Sequence, residues 1–187
     1  MDQVSFSREQ FAAAQRASGA PAFLFPEEGL MQLWVFGILV IFKVSGNETG
    51  GAFSCVEDVV PPGSRGPYPH YHTREDEYWH VTEGELIWIV GGQEMSAPKG
   101  SFLHIRRGVL HGFQNRSDKF ARMVVMYTPG KFMEWFIEVG IPAEGASLTS
   151  FPGPSPRKED YRKALQWLEV YGAGFPPLPE EIEHGEL

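Results

Sequence analysis

The chain has 187 residues with a formal net charge of −8 at pH 7, and 42% of its residues are hydrophobic. This length fits one domain with a hydrophobic core, and the acidic balance argues against nucleic-acid and membrane partners, which both favour clustered Lys and Arg. The single cysteine, Cys55, excludes an intrachain disulfide and a thiolate zinc site. Because the N-terminus lacks a basic stretch followed by an apolar run, we expect a cytoplasmic protein.

The first 44 residues combine a predicted helix with two predicted strands. A capping-box pattern at residues 7–10 predicts a short helix that ends near Gly19. Residues 33–36 and 38–44 are rich in β-branched and aromatic side chains, which predicts two strands, broken or bulged at Gly37.

Short apolar runs separated by turn residues continue through the middle of the chain. Further strands are predicted at residues 52–56, 77–81, 85–90, 93–96, 101–105, 111–115 and 121–127. Turn signals at this spacing are typical of an all-β sandwich or barrel. The apolar period then becomes helical, which predicts a helix over residues 132–139, and Ser155-Pro156 predicts the start of a second helix.

Three histidines form the chemically most informative pattern. His70 and His72 are one residue apart, so in a strand both project to the same side. A carboxylate follows after a short polar turn, and His111 could supply a third imidazole. Neutral imidazoles with a carboxylate form a ligand set for a first-row transition metal.

Two longer patterns resemble the two motifs of the cupin family. They are His70-x-His72-x4-Glu77-x6-Gly84 and Gly100-x5-Arg106-x-Gly108-x2-His111-x3-Asn115. The chain departs from the family pattern at two places: Gly63 and Gly66 lie on either side of the register of the leading glycine, and Arg106 replaces a proline. Neither departure falls on a ligand position, so both concern the geometry of turns.

The resemblance implies an all-β fold, a cupin jelly-roll barrel with short N-terminal and C-terminal helices. Residues 1–30 would form the N-terminal helix and lead-in, residues 31–130 the barrel, and residues 131–187 the C-terminal helices and an acidic tail packing on it. The sequence has no internal repeat, which indicates a single barrel. Because exposed strand edges in such barrels are often covered by a second copy, we expect a homodimer.

The resemblance also implies one divalent transition metal inside the barrel. The matching ligand positions are His70, His72, Glu77 and His111. Such a set accepts Ni, Mn, Fe, Co, Cu or Zn, so the metal's identity cannot be read from it. Glu77 is favoured over Glu75 and Asp76 because it has the motif spacing and opens an apolar strand, and the other two are expected to be solvated turn residues.

The other histidines are not expected to be ligands. His80 has the opposite strand parity to Glu77 and should face away from the barrel interior. His104 lies between apolar residues of a predicted strand, on the opposite face, and His184 lies in the acidic tail.

Strand parity predicts an apolar wall beside the metal. The predicted substrate-binding residues are Tyr68, Trp79, Phe113 and Met126. The first three share a strand face with a predicted ligand. Met126, Trp88, Met123 and Tyr127 could each join the wall, depending on which strand face turns inward. Otherwise these side chains fill the core.

Among cupins, the chain is similar to the flavonol dioxygenases called quercetinases. The resemblance implies a dioxygenase that uses dioxygen on a small, flavonol-like or other enolisable or phenolic substrate, with Glu77 as the catalytic proton acceptor. Arg65 and Arg106 either anchor an anionic group of the substrate or remain solvated. The alternatives are a metal-dependent isomerase or decarboxylase, which would need polar cavity walls, and a non-catalytic ligand-binding barrel.

Overall fold

A computed structural model describes residue 24 and residues 31–143, 145–153 and 158–176. The predicted N-terminal helix, the helix start at Ser155-Pro156 and His184 lie outside these residues. The strands are β1 Met31–Val35, β2 Ile38–Val44, β3 Ser54–Val60, β4 Tyr71–His72, β5 Asp76–Glu83, β6 Glu85–Val90, β7 Gln93–Pro98, β8 Phe102–Ile105, β9 His111–Gln114, β10 Ala121–Thr128, β11 Ile141–Pro142 and β12 Ala173–Gly174. The helices are α1 Met133–Val139, a short 3-10 helix at Leu148–Ser150, and α2 Lys158–Tyr171.

The strands form antiparallel sheets around a large apolar core, and a smaller apolar cluster lies around Trp34 and Leu39. Seven strands follow the order β11-β1-β2-β3-β10-β5-β8, three follow the order β7-β6-β9, and β12 pairs with β4. An isolated antiparallel bridge between His70 and His111 joins the segment before β4 to β9. This arrangement confirms the predicted all-β jelly-roll barrel with short helices.

Period-two alternation decides which side chains enter the core. Along β10, Ala121, Met123, Val125 and Tyr127 are buried while the residues between them are partly exposed. Trp79 on β5 packs edge-to-face against the rings of Trp88 and Phe113. The interior is therefore rich in aromatic rings near the start of β5.

Gly37 forms a turn and does not bulge a strand. Val35 pairs with Ile38, so β1 and β2 are a hairpin joined by two residues. Phe36 and Gly37 have φ values of 49° and 80°. Positive φ at both central positions gives the turn that matches the twist of an antiparallel hairpin, which explains why the chain reverses here.

The C-terminal helices pack on each other and on the apolar core of the barrel. Helix α1 buries Met133, Trp135, Phe136 and Val139. The indole N–H of Trp135 donates a hydrogen bond to the carbonyl of Ala164 on α2 at 3.3 Å. No helix in the described part of the chain is both long and apolar enough to cross a membrane.

Gly66 allows the segment before the histidines to approach β9 closely. A Cβ built on Gly66 would lie 1.7 Å from the carbonyl oxygen of Phe113, and the residue has φ of +65°. Gly63 has nearly the same φ, +69°, but a Cβ there would meet nothing within 4 Å. Comparing the same substitution at the two glycines therefore separates the effect of backbone strain from the effect of a steric clash.

We expect Gly66→Ala to destabilise the protein far more than Gly63→Ala. The strain of positive φ costs about 1 kcal/mol at either position, whereas only Gly66→Ala must also push two backbone segments apart. Thermal unfolding of the metal-free variants measures the difference. Equal decreases in melting temperature would show that the close approach does not contribute to stability.

Candidate metal centre

Four side chains converge inside the barrel, and they are the four predicted ligands. His70, His72, Glu77 and His111 each offer one ligand atom, and these atoms lie within 4.8 Å of one another. Backbone hydrogen bonds of 2.9 and 2.8 Å between His70 and His111 bring two of the histidines together. Glu77 reaches them from β5 because it lies on the same inward face as Trp79.

Backbone carbonyls orient two of the three imidazoles. Nδ1 of His70 lies 2.9 Å from the carbonyl of Tyr68, and Nδ1 of His111 lies 2.8 Å from the carbonyl of Val109. Since a carbonyl only accepts, Nδ1 of each ring is the donor in these contacts, so Nε2 is the atom that each ring can offer to a metal. In both cases the carbonyl belongs to the second residue before the histidine.

The carboxylate of Glu77 is held from two sides. Its Oε1 lies 2.7 Å from Nε2 of His72 and 3.0 Å from Nε2 of His111. Its Oε2 accepts a hydrogen bond of 2.7 Å from the indole N–H of Trp79. Burial would raise the pKa of Glu77, but His72 and His111 outweigh this and hold it well below its usual value.

Glu75 is buried, contrary to the prediction of a solvated turn residue. Only 2% of its surface is exposed, and its Oε2 lies 3.7 Å from Nδ1 of His72, slightly beyond hydrogen-bond distance. The turn is held by Gly172, whose carbonyl accepts hydrogen bonds from the N–H and hydroxyl of Thr73. Strand parity says nothing about a side chain inside a turn, so no sequence signal separated Glu75 from Asp76.

Asp76 behaves as predicted and faces outward. Its Oδ1 accepts hydrogen bonds from the backbone N–H of Arg107 at 3.1 Å and from Nε of Arg107 at 2.9 Å. His104 lies 3.4 Å from the other oxygen of Asp76, and His80 is exposed on the outer face of β5. These two histidines are therefore outside the cluster, as expected.

The residues present fit a divalent transition metal. Both ring nitrogens of His72 are buried without a hydrogen-bond partner, although a carboxylate lies near each of them. Burial would lower the pKa of His72, but Glu77 and Glu75 raise it to about 9. Desolvation and then the neighbouring imidazoles lower the pKa of His70 to about 3. Three imidazoles and one carboxylate are a donor set for a first-row cation.

A cavity of about 500 Å³ opens beside the cluster. His70 and Glu77 line it, whereas His72 and His111 lie behind them. Three of the predicted substrate-binding residues, Tyr68, Trp79 and Phe113, also line the cavity. The cluster is therefore accessible from this cavity, whose lining includes the predicted aromatic residues.

Met126 does not join the wall. It lies on the outer face of β10, between the buried residues Val125 and Tyr127, and these two line the cavity. The prediction failed at this position because alternation says that neighbours face opposite ways without saying which one faces inward. Trp88 and Met123 are buried in the core and do not line the cavity.

The cavity also contains polar residues that the sequence did not single out. Arg65 lines it, whereas Arg106 is exposed and does not. Asp58 on β3 faces the cavity as well, and it was missed. Its inward position between Val56 and Val60 was the available signal, because an acid at a core position of a strand is rare.

Comparison with known proteins gives the family of this region. Residues 56–127 match the family model described as "Cupin domain". This part of the chain is therefore similar to a cupin domain. KdgF from Halomonas sp. has a similar structure, with a TM-score of 0.51 and 17% sequence identity over 59% of this chain and 94% of that chain. At that identity the likeness supports the fold alone.

Two curated relatives are similar in sequence to part of this chain. Quercetin 2,3-dioxygenase of Bacillus subtilis (strain 168) is 33% identical over 97 residues, which are 52% of this chain and 28% of the relative. Tetracenomycin polyketide synthase protein TcmJ of Streptomyces glaucescens is 35% identical over 60 residues, 32% of this chain and 40% of the relative. The chain thus spans less than half the length of either relative.

We expect Glu75→Gln to weaken metal binding while Asp76→Asn does not. A carboxylate beside the outer nitrogen of a ligating imidazole raises its basicity, and losing such a partner reduces metal affinity by about tenfold or more. Competition with a chromophoric chelator for Zn²⁺ or Co²⁺ measures both variants against the parent protein. Similar affinities for Glu75→Gln and Asp76→Asn would mean that Glu75 has no effect on His72.

We also expect cation binding to release a proton. With a pKa of about 9, His72 is protonated in the metal-free protein at neutral pH, and a cation must displace that proton to reach the lone pair. His70, with its lowered pKa, is already neutral and contributes none. Affinity should therefore increase with pH up to about pH 9 and then level off.

Isothermal titration calorimetry in two buffers of different ionisation enthalpy measures this proton release. The two binding enthalpies should differ by about the difference between the ionisation enthalpies of the two buffers, which corresponds to about one proton released per bound cation. Identical enthalpies would show that His72 is neutral before the cation binds.

Proposed function

We propose that this cupin is a metal-dependent dioxygenase that cleaves a flavonol-like or other enolisable or phenolic substrate. His70, His72, Glu77 and His111 would bind the divalent metal. The observation that carries the proposal is that His70 and Glu77 open into a cavity with mainly aromatic and aliphatic walls. The name of the Bacillus subtilis relative, quercetin 2,3-dioxygenase, supports the same substrate class.

The cavity walls favour a flat, hydrophobic substrate over a sugar or a small acid. The aromatic residues that line the cavity include Tyr68, Trp79, Phe113, Tyr127, Phe132 and Trp135. Among the described residues that line the cavity, Arg65 is the only Arg or Lys. A volume of about 500 Å³ falls in the range of pockets that enclose a drug-sized ligand. An isomerase or decarboxylase of sugars or acids would need mainly polar walls, whereas polar residues such as Asp58 and Arg65 are a minority of this lining.

Glu77 is placed to accept the proton of a substrate hydroxyl. A cation held by the cluster would act as a Lewis acid and lower the pKa of that hydroxyl. The low pKa of Glu77 keeps it ionised, and a carboxylate with a free lone pair can act as a general base. Trp79 fixes the carboxylate through Oε2 and so directs Oε1 towards the centre. Apolar walls would exclude water from the deprotonated substrate.

Oxygen uptake tests the proposal directly. Protein loaded separately with Mn, Fe, Co, Ni, Cu or Zn is mixed with a flavonol without oxygen, and oxygen is then admitted in an electrode chamber. We expect stoichiometric uptake of one O₂ per flavonol with at least one metal. Absence of uptake across a panel of flavonols and β-diketones would remove the dioxygenase proposal.

Two tryptophan variants test the role of Glu77 without removing a ligand. Trp79→Phe deletes the hydrogen bond to Oε2, and we expect kcat to fall by about tenfold to 100-fold with metal content unchanged. Trp88→Phe is the matched control, because its indole N–H has no hydrogen-bond partner and the ring does not line the cavity. Equal losses in the two variants would show that the effect comes from packing.

A further inference from the structure

Asp58 is a buried carboxyl group without a cationic partner among the described residues. It is 6% exposed, lines the cavity, and its Oδ1 has no hydrogen-bond partner. Its neighbour in sequence, Glu57, points to the other face of β3 and pairs with Lys43 at 3.0 Å and Arg122 at 3.2 Å. Glu57 and Asp58 therefore lie in opposite environments, and of these two only Glu57 has cationic partners among the described residues.

The side chains around Asp58 offer it no polar contact. Its cross-strand neighbours are Val40 on β2 and Met123 on β10, and Val56 and Val60 share its strand face. All four are fully buried and apolar. Burial, followed by the charges of Glu77 and Glu57, raises the pKa of Asp58 to about 8. At neutral pH the carboxyl group is thus mainly protonated and can donate a hydrogen bond.

Asp58 and Glu77 reach the same cavity from different strands. Glu77 on β5 pairs with Tyr127 on β10, whereas Asp58 on β3, at the other side of β10, pairs with Met123, four residues before Tyr127. A ligand that fills the cavity and has an oxygen at the metal centre therefore meets Asp58 at a second place. A hydrogen-bond donor without a partner in an apolar wall strongly favours ligands that carry an acceptor, because a ligand without one leaves the donor unpaired.

We propose that Asp58 is a second polar anchor of the cavity, which donates a hydrogen bond to a neutral oxygen of the substrate at a distance from the metal centre. The proposal rests on the function proposed above and narrows its substrate class. The substrate is a flat, apolar molecule with two separated oxygen functions, one for the metal centre and one for Asp58. The second function is a carbonyl or hydroxyl group, since a carboxylate would be repelled by Glu77 and Glu57.

Equilibrium binding without oxygen tests this anchor separately from turnover. The probes are quercetin and 3-hydroxyflavone, which lacks the additional hydroxyl groups of quercetin, and the protein is loaded with Zn²⁺. The variants are Asp58→Asn, which keeps a donor of the same shape, and Asp58→Leu, which removes it. Glu57→Gln is the control on the outer face of the same strand.

We expect the parent protein, Asp58→Asn and Glu57→Gln to prefer quercetin by about tenfold or more, and Asp58→Leu to bind both probes equally. Zn²⁺ content and melting temperature, measured on each variant, should show that all of them are folded and loaded. A preference that survives in Asp58→Leu overturns the proposal, as does its loss in Asp58→Asn. Failure of both probes to bind the parent protein overturns it as well.

The same variants distinguish failure of the anchor from failure of the dioxygenase proposal. If Asp58→Leu abolishes the preference but no protein consumes oxygen, the anchor stands and the dioxygenase proposal fails. If the parent protein and Asp58→Leu consume oxygen equally with quercetin and keep the same preference, only the anchor fails. Infrared difference spectra give an independent check: a protonated carboxyl band that is missing in Asp58→Asn should shift when quercetin binds, and absence of such a band overturns the proposal.

Discussion

The candidate metal centre depends on one backbone contact, the antiparallel bridge between His70 and His111. Two hydrogen bonds of 2.9 and 2.8 Å set the register of two segments that are distant in sequence. The bridge places one histidine of each motif side by side, and the carbonyls that orient their rings follow from the same backbone. Gly66 contributes to this contact because a side chain there would collide with the backbone at Phe113.

Charge within the cluster is balanced locally, in a setting that disfavours isolated charges. Burial opposes ionisation of His70, His72 and Glu77, yet His72 and Glu77 stabilise each other's charged forms, which raises the pKa of His72 and lowers that of Glu77. A cation would take the place of the proton on His72 and keep the same carboxylate partner. Trp79 and Glu75 support this exchange from outside the four ligands, since they hold Glu77 and adjoin His72.

The walls of the cavity differ chemically from the polar outer surface of the barrel. The outer face of β3 carries an ion-paired Glu57, whereas its inner face carries apolar residues and the unpaired Asp58. Helices α1 and α2 complete the apolar wall through residues such as Trp135 and Leu168. A domain that matches the cupin family in its central part thus obtains its cavity partly from segments outside the matched residues 56–127.

Short strands of period two indicated the all-β class from the sequence, and the resemblance of the histidine and Glu77 spacing to the cupin motifs implied the four candidate ligands. These features are local: alternation and turn residues are properties of neighbouring positions. Tertiary structure decided the rest. It buried Glu75 in a turn held by Gly172, turned Tyr127 inward instead of Met126, and placed Asp58 in the cavity. Strand parity relates neighbours to each other, and only packing against the other strands determines which face meets the core.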